Sequence, residues 1–226
     1  MLNYIYRLLR FFIFGRFDNF LKNATGVIHI GANVGQEREH YKKLGVKSVV
    51  WIEADPDVYK ILLSNIKQYK NYKAYNFLVT DKDNKKYTFN ISNNTSNSSS
   101  IFKLKQHKII YPDIQYKKKI VLISQTLKKI IVKKNINLNK FKFLVLDVQA
   151  SELKVLKGAK DVLDKFQYIK LESSEFDLYQ KNPLHSEISR YLSKLGFIEV
   201  KKITTARNSK RQKTYDVLYR NLKFNN

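Results

Sequence analysis

The chain contains no cysteine, which excludes disulfides, thiolate nucleophiles and thiolate metal sites. Its four histidines, His29, His40, His107 and His185, lack the His-x-x-x-His spacing of a metal-binding helix, so we expect no metal site. Seven glycines and three prolines form no linker, and no internal repeat is visible. The 226 residues, 43% of them hydrophobic, fit one α/β domain with a sizeable core. A cysteine-free chain suits a reducing compartment, and we expect a cytoplasmic protein.

Acidic residues are scarce, because 19 Asp and Glu accompany 43 Lys and Arg and leave a formal net charge of +24. The lysines often stand beside Asn, Ile and Tyr, which favours a compositional bias of the whole chain. The alternative interpretation is attraction to an anion such as a phosphate, a lipid headgroup, an acidic glycan or a nucleic acid. The densest clusters, Lys117–Lys119 and Lys201–Lys213, lack the interleaved aromatics of a base-stacking surface.

Long apolar runs are missing from the N-terminal segment, whose longest is the four residues Phe11–Phe14. A membrane span needs ~20 apolar residues. We therefore predict that residues 1–24 form a basic and aromatic helical extension, followed by a single domain over residues 25–226. In one interpretation the extension packs on the core or on a second subunit of a homo-oligomer. In the other, residues 1–20 lie on a membrane surface.

The most informative segment present is Val27–Glu37, with the sequence VIHIGANVGQE. A β-branched run stops at Gly31, and a helical pattern begins after Gly35. Glycine lets backbone approach a ligand without a Cβ in the way. Asn33 and Gln36 stand where a dinucleotide fingerprint has glycine, which argues against a tight pyrophosphate turn.

A second strand, Ser48–Glu53, ends in a carboxylate 22 residues after Gly31. An acid at about that offset, ~20 residues, can accept hydrogen bonds from ribose hydroxyls. The two segments together favour an adenosyl ligand. In a second interpretation, Gly31 and Gly35 only allow close helix–strand packing and Glu53 caps a helix beside Asp55.

Helical and strand patterns alternate along the chain, which predicts a mostly parallel sheet covered on both faces. The predicted strands are Val27–Ile30, Val49–Ile52, Tyr72–Val79, Lys86–Ile91 in an extra hairpin, Phe141–Leu146, Tyr168–Leu171, Phe197–Ile203 and Thr214–Arg220. The predicted helices are Gln36–Leu44, Asp57–Gln68, Ser124–Val132, Ser151–Leu163 and His185–Leu195. Asn93–Ser100 is predicted as a polar loop that either closes over a ligand or connects a hairpin. Asp147 and Glu172 follow the apolar parts of two strands, so we expect them at the ligand-binding edge of the sheet.

Six segments in order resemble the FkbM family of S-adenosylmethionine-dependent methyltransferases: VIHIGANVGQE, VVWIEADPDVYKILLSNI, NNTSNSSSI, FKFLVLDVQASELKVLKGA, YIKLESSEFDLY and EISRYLSKLGF. The resemblance covers residues 25–220 and is most specific over Leu146–Ala159. It implies an α/β, Rossmann-like class I methyltransferase fold, with seven strands of which the last is antiparallel. It also implies methyl transfer from S-adenosyl-L-methionine, usually to oxygen. Ala150 stands where the family usually has glycine, and Tyr215-Asp216 where related sequences often have Gly-Asp.

By position, the resemblance assigns the methionine end of the cofactor to the turn after the first strand and the ribose to Glu53. The expected cofactor-binding residues are Gly31, Ala32, Asn33, Gly35, Gln36, Glu53 and Asp147. Asp147 is the first candidate for a general base and Glu172 the second, although Asp147 could instead cap the helix near Ser151. Gln149 and Glu152 either orient the acceptor or bond local backbone. His29 is expected in the core and His40 at the surface.

The expected acceptor is a hydroxyl of a saccharide or related small molecule. One alternative is an RNA 2′-O-methyltransferase, because Asp147, Lys170 and Glu172 match part of the Lys-Asp-Lys-Glu set of such enzymes. The other is a non-catalytic binding protein with a methyltransferase fold, which predicts no cofactor binding.

Overall fold

A computed structural model describes residues 15–224. The helices are α1 (Asp18–Leu21), α2 (Arg38–Lys43), α3 (Pro56–Ile66), α4 (His107–Ile110), α5 (Leu127–Lys133), α6 (Glu152–Gly158) and α7 (His185–Ser193). The strands are β1 (Val27–Ile30), β2 (Val49–Glu53), β3 (Tyr72–Asn76), β4 (Leu78–Val79), β5 (Lys86–Ser92), β6 (Tyr116–Gln125), β7 (Phe143–Leu146), β8 (Tyr168–Ser174), β9 (Phe197–Arg207) and β10 (Lys213–Asn221). Short 3-10 turns span Leu138–Lys140 and Lys160–Lys165.

Seven strands form the main sheet in the order β3-β2-β1-β7-β8-β10-β9. The pairs β3-β2, β2-β1, β1-β7 and β7-β8 are parallel, whereas β10 runs antiparallel to both of its neighbours. The strand order reverses between β1 and β7, and ligands of open α/β sheets bind at the carboxyl ends of strands at such a point. The predicted fold class is confirmed.

Alternate residues of the central strands enter two separate hydrophobic clusters, as the two-residue period of a strand requires. Ile28 and Leu144 pack on one face of the sheet with α5, α6 and α7. Val27 and Phe143 pack on the other face with α1, α2 and α3. Residues of both faces are buried along β1, β2 and β7, which explains their continuous apolar sequence.

A second, three-stranded sheet has the order β4-β6-β5. The predicted extra strand is present as β5 and pairs antiparallel with β6, but residues 93–115 separate the two strands, so they do not form a tight hairpin. The strand β6 was not predicted, because its run of three lysines shows no alternation of polar and apolar residues. The single strand predicted over Tyr72–Val79 is wrong, since β3 and β4 belong to different sheets and are separated by Phe77.

Several predicted boundaries were wrong by a few residues. The helix predicted from Gln36 begins at Arg38, and the one predicted over Ser151–Leu163 ends at Gly158 and continues as a 3-10 turn. Asp55 caps α3, since its carboxylate accepts hydrogen bonds from the N–H groups of Asp57 (3.0 Å) and Val58 (3.5 Å).

Part of the predicted N-terminal extension packs on the domain. Phe17 directly precedes α1 and Leu21 ends it. Both are fully buried in the same cluster as Val27 of β1. Residues 1–14, on which the membrane alternative largely depends, lie outside the described residues. The division at residue 24 stays a prediction. Among residues 15–224, no helix is long and apolar enough to cross a membrane.

Candidate functional site

The end of β1 touches the end of β7. Gly31 has a φ of +80°, and a Cβ built on it would lie 1.8 Å from the carbonyl oxygen of Asp147. No side chain larger than hydrogen fits there, so Gly31 is fixed by the contact between two loops as well as by its left-handed backbone. The close contact is made by the loop after β7 and not by a helix, so helix–strand packing does not account for Gly31, which also lines the cleft between these loops.

Glu53 ends β2 and is 6% exposed on the wall of the same cleft. Its Oε2 accepts a 2.7 Å hydrogen bond from the backbone N–H of Asn33, and its Oε1 accepts a 2.8 Å bond from the N–H of Asp55. Burial raises the pKa of Glu53 from 4.5 to about 7, although both hydrogen bonds act to lower it. Asp55, not Glu53, caps α3, so a structural capping role does not explain the buried carboxylate.

The serine-rich loop, residues 93–100, lies over the end of β1. The Asn33 side chain donates a 2.7 Å hydrogen bond to the carbonyl of Thr95, and Gln36 donates a 3.2 Å bond to the side chain of Asn97. Ser96 Oγ donates to Asp55 at 2.6 Å. These contacts favour the interpretation of the loop as a cover for the ligand site over that of a simple hairpin connection.

Two adjacent residues of this loop adopt a left-handed backbone conformation. Thr95 has a φ of 55° and Ser96 a φ of 63°. A β-branched residue such as threonine rarely adopts this region, and such conformations persist where surrounding contacts impose them. The bonds from Asn33 and Ser96 hold the loop at this point.

The cleft encloses about 560 Å³ of empty space, its open mouth included. Gly31, Asn33 and Glu53 line it from the main sheet, and Ser96, Asn97 and Ser99 from the loop. Its apolar walls are formed by Ile30, Ile52, Phe77, Leu78, Val79 and Phe89. The apolar wall with one buried carboxylate suits a base and a ribose.

The carboxylates of Asp147 and Glu172 are joined by one amide. Gln149 Nε2 donates hydrogen bonds to Asp147 Oδ1 at 2.9 Å and to Glu172 Oε2 at 3.2 Å. Asp147 and Gln149 line the cleft, and both carboxylates are half-buried. The structure therefore brings the two candidate bases together at the carboxyl ends of β7 and β8.

Ser151, not Asp147, occupies the N-cap position of α6, so the capping alternative for Asp147 has no support. Glu152 is 2% exposed, and its Oε1 accepts a 3.2 Å hydrogen bond from the N–H of Val148. Burial, assisted by the nearby charge of Glu172, raises the pKa of Glu152 to about 8. Glu152 thus bonds local backbone, whereas the Gln149 side chain bonds the carboxylates.

Lys170 forms a buried ion pair, in which its Nζ lies 3.0 Å from Asp216 Oδ1. Both residues are 5% exposed, and the ammonium lies 5.5 Å from the centre of the Phe17 ring. The buried ion pair gives Asp216 a structural partner. It also engages the lysine on which the RNA alternative depends.

Three of the expected cofactor residues do not line the cleft. Ala32 is buried in the cluster around β1, and a Cβ on Gly35 would lie 2.7 Å from Leu62 Cδ1 of α3. Gln36 contacts the covering loop instead. Their assignment to the cofactor stays a prediction, and for Gly35 close packing on α3 accounts for the glycine.

Other residues at this edge were not singled out from the sequence. Tyr179, 2% exposed, donates a 2.7 Å hydrogen bond to Gln149 Oε1. It lies inside the segment YIKLESSEFDLY, but no spacing marks it. Phe77, between β3 and β4, and Phe89, on β5, also line the cleft.

The histidines behave as structural residues. His29 is 2% exposed and lies 3.1 Å from the Tyr41 hydroxyl, which confirms its place in the core. The prediction of a surface position for His40 was wrong, since it is 7% exposed and its Nε2 lies 2.7 Å from Asp18. Within residues 15–224, no group of three or more His, Asp or Glu side chains could hold a metal ion.

Solved structures share this fold. The methyltransferase FkbM from Methylobacillus flagellatus has a TM-score of 0.52 at 14% identity, over 86% of this chain and 44% of its own. M. capricolum TrmK in complex with S-adenosyl-homocysteine has a TM-score of 0.53 at 8% identity, over 94% and 69%. The B. subtilis tRNA methyltransferase TrmK has a TM-score of 0.50 at 7% identity, over 92% and 65%. At these identities the likeness shows the class I methyltransferase fold alone.

No curated protein matches the chain significantly. A family profile, the methyltransferase FkbM domain, matches residues 29–199 and so includes Glu53, Asp147 and Glu172. The cofactor of this family, S-adenosyl-L-methionine, fits the residues present, because Glu53 keeps lone pairs free for ribose hydroxyls beside an apolar wall. The chain belongs to the FkbM family of S-adenosylmethionine-dependent methyltransferases.

Proposed function

We propose that the protein methylates a hydroxyl oxygen, carried by a saccharide or a related small molecule, in the cytoplasm. The observation that carries this proposal is the pair of carboxylates, Asp147 and Glu172, held side by side at the edge of the cofactor cleft. A hydroxyl must lose its proton when its oxygen is methylated, and a carboxylate within hydrogen-bond reach can accept it.

The residues of the chain have separable tasks in this reaction. Glu53 and Asn33 hold the cofactor from the ends of β2 and β1, and the covering loop excludes water. When bound, S-adenosylmethionine supplies an activated methyl group. Asp147 orients the acceptor hydroxyl and takes its proton, and Glu172 is the second candidate for this role. Orientation alone can contribute roughly 7–11 kcal/mol to such a reaction.

The net charge of +24 supports the RNA 2′-O-methyltransferase alternative, and one solved structure of the same fold is a tRNA methyltransferase. Lys117, Lys118 and Lys119 are exposed on β6. Lys170, the residue that would complete the catalytic set, is buried against Asp216. We therefore favour a small-molecule or saccharide acceptor.

The proposal is tested with methyl-labelled cofactor and three acceptor pools: free saccharides, lipid-linked sugars and RNA. Label should enter a sugar fraction at an oxygen. Asp147→Asn should lower turnover by about 10²–10⁴-fold. The matched control is Asp161→Asn, a surface carboxylate that pairs with Lys128 and should keep full turnover.

Incorporation of label into RNA alone would replace the saccharide acceptor with the RNA alternative. Full turnover in both Asp147→Asn and Glu172→Gln would remove the proton-accepting role. A calorimetric titration with S-adenosylhomocysteine that shows no binding would leave the non-catalytic interpretation.

A further inference from the structure

Gln149 is held at three points by residues from separate parts of the chain. Its side-chain nitrogen donates to Asp147 and Glu172, its side-chain oxygen accepts from Tyr179, and its backbone carbonyl accepts from Ser100 Oγ at 2.7 Å. Its backbone is left-handed, with a φ of 48°. Packing alone does not account for these hydrogen bonds, because they connect Gln149 to both candidate bases.

The chemistry of the partners sets the orientation of the amide. An ionised carboxylate only accepts hydrogen bonds, so the NH2 group of Gln149 must face Asp147 and Glu172. The amide oxygen then faces Tyr179, whose hydroxyl can donate to it. Burial raises the pKa of Tyr179 well above its ordinary value, so the hydroxyl keeps its proton.

Tyr179 has one proton and two acceptors within reach. Gln149 Oε1 lies 2.7 Å from its hydroxyl, and the carbonyl of Ser98 lies 3.4 Å away. The shorter contact takes the proton. If the amide were rotated by half a turn, its oxygen would face two carboxylates and its NH2 group would face the tyrosine, which costs both carboxylate bonds.

We propose that Gln149 and Tyr179 form a positioning pair that keeps Asp147 and Glu172 together as acceptors for the substrate hydroxyl. Gln149 neutralises part of the repulsion between the two carboxylates, and Tyr179 locks the amide in the orientation that does so. This inference rests on the proposed methyl transfer, but the geometry it describes exists in the protein without ligand.

The first test uses the unliganded protein and therefore does not depend on activity. The side-chain amide protons of Gln149, assigned by their loss in Gln149→Met, should exchange with solvent more slowly than those of the exposed Gln180. In Tyr179→Phe, which keeps the ring, exchange should become about tenfold faster. Tyr219→Phe is the matched control, because Tyr219 is equally buried and its hydroxyl lies 2.8 Å from Ser189 Oγ on α7.

Unchanged exchange in Tyr179→Phe, or exchange in the parent as fast as that of Gln180, overturns the proposal. The second test is a double-mutant cycle on turnover at saturating cofactor. Because Tyr179 acts through Gln149, Tyr179→Phe should lower kcat in the parent and have no further effect in Gln149→Met. Additive losses overturn the proposal. A parent without methyl transfer would refute the proposed function, while the exchange measurement still decides the positioning role.

Discussion

The backbone N–H of Asn33 and the carboxylate of Glu53, 2.7 Å apart, tie the end of β1 to the end of β2 inside the cofactor cleft. The carboxylate thereby stabilises the turn that follows β1. Under the proposed function, its remaining lone pairs accept hydrogen bonds from the ribose hydroxyls. Its burial has a measurable consequence, because the pKa of Glu53 is raised to about 7.

Cofactor affinity should increase with pH. Ribose hydroxyls donate to the ionised form of Glu53, so the Kd for S-adenosylhomocysteine should fall about tenfold from pH 6 to pH 8. The unliganded protein should change in the opposite direction: a raised carboxyl pKa means that its stability decreases as pH rises from 4.5 through about 7. Calorimetry across this range measures the affinity. In Glu53→Gln the affinity should be weaker and flat with pH, and a flat profile in the parent contradicts the prediction.

Gly31→Ala should lower the free energy of unfolding by about 3 kcal/mol, because it adds overpacking to the cost of a left-handed alanine. The control is Gly196→Ala, since Gly196 has a similar φ of +82° but no atom within 4 Å of a built Cβ. The control should lose only the conformational part, about 1–2 kcal/mol. Urea denaturation of both variants measures the difference, and equal losses would mean that the Asp147 loop moves away without cost.

Ala150→Gly should stabilise the protein by roughly 0.5–1 kcal/mol. Ala150 has a φ of +78°, a conformation that glycine adopts without strain. The control is Ala206→Gly on β9, where glycine only adds freedom to the unfolded chain and should destabilise. A shift of the urea midpoint in the same direction for both variants would contradict the prediction.

Lys170→Met should destabilise the fold by about 3 kcal/mol and leave kcat within a few-fold of the parent, because it strands the buried carboxylate of Asp216. Lys128→Met breaks an exposed pair with Asp161 and should be close to neutral. Thermal unfolding and turnover are measured on the same samples. A loss of more than 100-fold in turnover by folded Lys170→Met would return the lysine to the catalytic set.

The order of strands and helices was predictable, because the central strands are buried on both faces. Their sequences are therefore apolar runs, and each run ends at a glycine or an acidic residue. Glu53 and Asp147 were predictable as cleft residues for the same reason, since strand ends in a parallel sheet converge. The strand β6 was not predictable, because Lys117, Lys118 and Lys119 are all exposed and their run shows no alternation of polar and apolar residues. Tyr179 and the Gln149 bridge depend on contacts between segments far apart in the chain. A single sequence does not encode those contacts in any spacing.

The pairing of Val27 in β1 with Phe143 in β7 also bears on how the molecule folds. These strands are neighbours in space but distant along the chain, and closing so long a loop is slow compared with forming α3 or pairing β5 with β6. We therefore expect the cleft at the end of β1 to form late in folding. Added cofactor should then slow unfolding without accelerating folding, because a ligand cannot assist a transition state in which its site has not yet formed.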